Sequence, residues 1–155
     1  MSGMRPTAKE LLQRREEERR LDALRETLTS LRGLEVRTDD EVLTEWSRQE
    51  LFSIGRSGST PDASLEEDAD PSRLRVWLTD LEERAALGQR IFLGTSLRFL
   101  PWLEAEVTGP GWLAEAWERA GGTLRAISGD RARLLVIFDE EHAIEAFVRA
   151  SASGA

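Results

Sequence analysis

Hydrophobic and polar positions along this chain change period several times, and the changes mark out its elements. The clearest change lies between Gly121 and Val148. Residues 123–128 (TLRAIS) and 131–138 (RARLLVIF) are rich in β-formers and flank Gly129-Asp130, a two-residue turn signal in which Gly can take a positive φ. They predict a β-hairpin. Leu134, Val136 and Phe138 alternate with Leu135 and Ile137, so both faces of the second strand are apolar, as in an interior strand covered on both sides. Asp139 then stands at an N-cap position, Glu140 and Glu141 put negative charge in a first turn, and Ala143, Ile144, Phe147 and Val148 recur at helical spacing. This pattern predicts a C-terminal helix laid back on the hairpin.

Upstream, Thr7 and Glu10 form a capping-box pattern and Gly33 is placed to end a helix, giving an expected length of about 25 residues. Its middle, 13–20, is polar. Leu21, Leu24, Leu28 and Leu31 follow at 3,4,3 spacing as a narrow stripe. The stripe either docks on the domain or pairs with another chain, since fewer than two heptads do not make a coiled coil. Residues 34–37 read as a short β-like piece. Thr38 to Asp40 offer caps for a second helix with Val42, Leu43 and Trp46 on one face, fading near 52–55. Between 56 and 72 turn formers and carboxylates surround one large apolar residue, Leu65, so a mobile acidic loop is expected.

Pro71-Ser72 opens a third helix with Leu74, Trp77, Leu78, Leu81 and Ala85 on one face, closed by Gly88, and 90–93 (RIFL) is a strand candidate. The stretch 97–107 supports two readings. Period 2 turns Leu103, Ala105 and Val107 inward and Trp102, Glu104 and Glu106 outward. Period 3.6 aligns Leu97, Leu100, Leu103 and Val107 but buries Pro101 inside a helix, so the strand over 102–107 is favoured. A turn at 108–111 precedes a short helix with Trp112, Leu113, Ala116, Trp117 and Ala120 in one sector. The fold class is therefore α+β, a small mixed or antiparallel sheet with a ferredoxin-like β-α-β-β-α C-terminal half plus N-terminal helices. That half lacks one strand, which 34–37, 90–93 or another chain would supply. The expected organisation is an N-terminal helix (1–33), a short strand and helix (34–55), the acidic loop (56–72) and an α+β core (73–155).

A chain of 155 residues fits one domain, and no apolar run approaches the roughly 18–20 residues of a membrane span. No membrane association is expected. The N-terminus lacks an apolar signal region and the chain has no cysteine, which points to the cytoplasm and excludes disulfides and thiolate chemistry. Net charge is −8 and unevenly placed. Residues 34–72 carry three basic and eleven acidic groups, so the middle of the chain repels phosphate backbones and favours solubility or a basic partner. The basic residues are all Arg except Lys9, a bias that suits a GC-rich bacterial genome and says little about function.

Candidate chemistry is sparse. His142 is the single histidine, which excludes a paired-His zinc site, and its place in a carboxylate-rich helix start reads as a solvated capping turn. Glu104/Glu106 and Asp139/Glu141 would act as acid–base pairs only in a cleft. No phosphate-binding glycine loop occurs, and neither cofactor nor metal is expected. Set against the RNA-recognition signature, 131–138 matches at Arg131, Val136 and Phe138, but the base-stacking positions hold Arg133 and Leu135, so no nucleic-acid binding is expected. Trp102 beside Glu104 and Glu106 is either an exposed anchor for a basic protein or a residue covered by the N-terminal helix. The chain is thus expected to be a non-catalytic, cytosolic protein-binding or regulatory module, immunity- or inhibitor-like, with a basic protein partner. Trp102, Glu104 and Glu106 are its candidate contact residues, and Leu21, Leu24, Leu28 and Leu31 a second contact that would permit a homo-oligomer. The alternative is a small-ligand-binding domain or enzyme with a cleft between sheet and helices.

Overall fold

The structure is a computed structural model that describes residues 5–56 and 59–152. The ends of the expected N-terminal helix segment (1–4) and tail (153–155), and 57–58 of the expected acidic loop, lie outside the described residues. In chain order the elements are α1 (Ala8–Thr27), β1 (Leu31–Arg37), α2 (Asp39–Val42), α3 (Glu45–Ile54), β2 (Ala63–Glu66), α4 (Pro71–Ala85), β3 (Arg90–Gly94), β4 (Trp102–Val107), α5 (Trp112–Arg119), β5 (Thr123–Ser128), β6 (Arg133–Asp139) and β7 (Ala143–Ala150). Seven strands form one antiparallel sheet in the order β1-β4-β3-β5-β6-β7-β2.

Side-chain alternation explains the layers. On one face Ile91, Leu93, Ala105, Leu124, Ala126, Leu135 and Ile137 pack with Leu78, Leu81 and Ala85 of α4 and Trp112, Leu113 and Ala116 of α5. On the other, Phe92, Trp102, Ile127, Leu134, Val136 and Phe147 pack with Val42 of α2 and Ile54 of α3. β6 is buried on both faces because each has its own helical cover, as its doubly apolar sequence predicts. Thr38 and Thr44 each form a capping box, so the single helix expected from Thr38 onward is two, with Leu43 extended between them.

The N-terminal helix is shorter than expected. α1 ends at Thr27, and Leu31 opens β1, paired with Val107. Gly33 does not end the helix; at φ 70° it sits where the β1–β4 register shifts, a bulge that glycine accepts without strain. Leu21 packs against Leu100 and Leu103, and the buried Glu17 accepts the Phe99 N–H at 2.8 Å, tying the helix to the loop before β4. The N-terminal half of α1 leaves Leu11 and Leu12 exposed.

The C-terminal helix does not form. Residues 143–150 are β7, paired along its length with β6. Ala146 enters one core and Phe147 the other, the signature of a strand between two covers, whereas a helix would turn adjacent residues only about 100° apart. The loop expected at 56–72 contains β2, which adds to the outer edge of β7 by pairing Leu65 with Ile144. These two corrections replace the ferredoxin-like half. β4 and β5 do flank one strand, with α5 between them in sequence, but that strand is β3, and among the described residues β5, β6 and β7 follow with no second crossover helix. Gly129 also differs from expectation: the positive φ of the β5–β6 turn is at Arg131 (62°). Gly129 is needed because a Cβ there would lie 2.9 Å from the Arg90 carbonyl oxygen.

Candidate functional site

Four of the eleven carboxylates of 34–72 meet three from the β6–β7 turn at one end of the sheet. β2 runs antiparallel to β7, so the turn leaving β2 lies beside the turn entering β7, and the Glu67 N–H donates to the His142 carbonyl at 3.3 Å. The first turn brings Glu66, Glu67, Asp68 and Asp70; the second brings Asp139, Glu140 and Glu141, all exposed. Arg73 bonds both oxygens of Glu66 at 2.8 Å and holds that carboxyl below its usual range, and Asp70 caps α4 by accepting from the Arg73 N–H. Among the described residues the other carboxylates of these turns form no ion pair within 4 Å except Glu141, 3.8 Å from His142, and Arg73 also acts at longer range on Asp70 and Asp68. Among the described residues no group of three or more ligand side chains is arranged to hold a metal ion, so this end is a diffuse field rather than a chelate.

Next to it, between the end of α3 and the β6–β7 hairpin, runs a groove of about 440 Å³ lined by Ile54, Gly55, Arg56, Ser59, Phe138, Glu140, Glu145 and Phe147. Its floor is aromatic: the Phe138 and Phe147 rings stand edge to face, 6.0 Å apart at 72°. Glu145 lies directly across the hairpin from Phe138. The guanidinium of Arg56 lies over the exposed Phe52 ring, 5.5 Å from its centre.

The sequence-predicted contact residues occupy other places. Trp102 is fully buried, its indole N–H donating to Asp39 at 2.7 Å and the Arg125 guanidinium stacked 5.4 Å from its ring centre. It is not an exposed anchor, and its cover is α2 and Arg125, not the N-terminal helix; the outward face of β4 is outward only toward the second helical layer. Glu104 and Glu106 share that face farther along and are half-buried. Glu104 is bonded by Arg37 and Arg90, each at 2.7 Å, and Glu106 by Arg32 at 2.7 Å. The Arg37 hydrogen bond, then that of Arg90, depresses the Glu104 carboxyl despite partial burial, and Arg32 depresses Glu106. This ladder of Arg32, Glu35, Arg37, Arg90, Glu104 and Glu106 is charge-balanced, so it offers a basic partner little attraction. Leu21, Leu28 and Leu31 are buried and Leu24 half-buried against the chain's own core, which leaves no stripe for a second chain.

The groove residues were not singled out in the sequence. Glu140 and Phe138 were legible as charge and core, but only β7 as a strand sets Glu145 beside them. No protein family, curated protein or solved structure matches this chain. No helix of the described residues is long and apolar enough to cross a membrane.

Proposed function

We propose that this chain is a non-catalytic protein-binding or regulatory module of the cytoplasm, immunity- or inhibitor-like, that engages a basic segment of a partner protein through the acidic end of its sheet. The observation that carries the reading is the union of two acidic turns, distant in sequence, with an aromatic-floored groove alongside. A cluster with net negative charge raises the encounter rate with an oppositely charged partner, and an apolar floor beside it supplies contact area that charge alone lacks. The same field disfavours nucleic acid. The alternative reading, a small-ligand domain, is favoured by one feature, the position of the groove between helix and sheet.

The test is anisotropy of a labelled cationic peptide against two charge-reversal variants. Glu67→Lys/Glu141→Lys alters the acidic end, and Asp80→Lys/Glu83→Lys alters exposed carboxylates of α4 by the same amount. Binding that weakens with salt and is lost about tenfold or more in the first variant only supports the proposal. Equal loss in both variants means bulk charge and overturns it.

A further inference from the structure

We infer that the groove between α3 and the β6–β7 hairpin is a receptor for an arginine side chain of the basic segment, an inference that rests on the proposed partner chemistry. The chain shows what an arginine needs by supplying it to its own. Arg149 lies over the Phe147 ring at 5.7 Å with its guanidinium paired to Asp62 and to Glu50. Arg131 lies over Phe92 at 4.8 Å and donates to the carbonyls of Glu41 and Val42. Each pairs an aromatic face with oxygen acceptors at its rim.

The groove offers the same parts: of its two rings Phe147 already carries Arg149, whereas among the described residues no guanidinium lies over Phe138. Phe138 is half-buried and lines the opening, Glu145 faces it across the hairpin, and Glu140 follows two residues after it. Neither carboxylate makes a side-chain hydrogen bond or ion pair among the described residues, unlike Glu50 and Asp62. Arg56, the basic residue of the described lining, is stacked on Phe52. A guanidinium fits this arrangement better than an ammonium, because its flat face stacks on the ring while its edge still presents several fixed donors to the carboxylates. Lysine meets the charge and forgoes the stacking. A volume of about 440 Å³ exceeds one side chain, so the neighbouring backbone of the partner segment fills the remainder.

Two peptides of equal length and charge test this, one with arginine and one with lysine at every basic position, titrated into the full chain by calorimetry. The arginine peptide should bind about tenfold more tightly. In Glu140→Gln/Glu145→Gln the two should bind alike, while Glu67→Lys/Glu141→Lys should weaken both and keep their ratio. An unchanged melting curve for each variant shows that the fold is intact. Equal affinity of the two peptides for the native chain, or a preference that survives in the Gln variant, overturns the arginine receptor and leaves the acidic-end reading standing. Binding of neither peptide overturns both.

Discussion

Replacing Trp102 by Phe tests the layer of α2 against the sheet. Trp102 has no exposed surface, so the smaller ring leaves a gap; if about 40 Å³ of it fails to close, the cost is about 1 kcal/mol at about 24 cal/mol per Å³. The substitution also removes the indole donor to Asp39, a hydrogen bond to a charged group whose loss costs about 1–2 kcal/mol here, since Asp39 is exposed and water can take the donor's place. The expected total is about 2–3 kcal/mol, or a drop in melting temperature of about 5–10 °C for a chain of this size. Asp39→Ala should cost about 1 kcal/mol, and the double variant should cost less than the two single variants together, because both remove the same bond. Urea unfolding followed by far-UV circular dichroism reads all three, and, since the chain has five tryptophans, the difference in acrylamide quenching between the native chain and Trp102→Phe reports whether Trp102 meets solvent. A Trp102→Phe variant within about 0.5 kcal/mol of the native chain, with strictly additive effects, refutes the buried placement and the α2 contact together.

Leu21→Ala should destabilise by about 2–4 kcal/mol because Leu21 is buried against Leu100 and Leu103, whereas Leu12→Ala on the exposed half of the same helix should stay within about 0.5 kcal/mol; chemical denaturation separates them. Glu104 has its pKa depressed in the folded chain, so its contribution is present above the ordinary glutamate value of 4.5 and is lost as pH falls through the lower folded value. Melting temperature should therefore decline on acidification below about pH 5, and Glu104→Gln should be less stable at neutral pH with a shallower acid limb. An acid limb of unchanged slope in that variant counts against the ladder.

Much of the fold was legible where a segment's partner lies nearby in sequence. The β5–β6 pairing, β3, β4, α4 and α5 all follow from local period, although the β5–β6 turn is longer than the two residues expected, and Pro101 correctly argued for strand over helix at 102–107. The misread elements depend on distant partners. Ala143, Ile144, Phe147 and Val148 fit helical spacing, and what makes them a strand is a β-partner on each side, one of them β2, far upstream and too polar to stand out. Gly33 serves equally to stop a helix or to form a bulge, and its pairing opposite β4 decides. For the candidate site, the sequence displayed both acidic runs but not their adjacency, which arises only when β2 lies against β7. Trp102 misled because alternation tells which residues share a face, not whether that face is covered.

The order of strands also sets a timetable for synthesis. β1 finds its neighbour only once residues 102–107 exist, and β2 waits for 143–150. Until then the backbones of β1 and β2 lack their sheet partners, and closing such long loops is slow. The eleven carboxylates of 34–72 against three cations keep that waiting stretch hydrated and self-repelling, so nascent copies are held apart while the sheet is still incomplete.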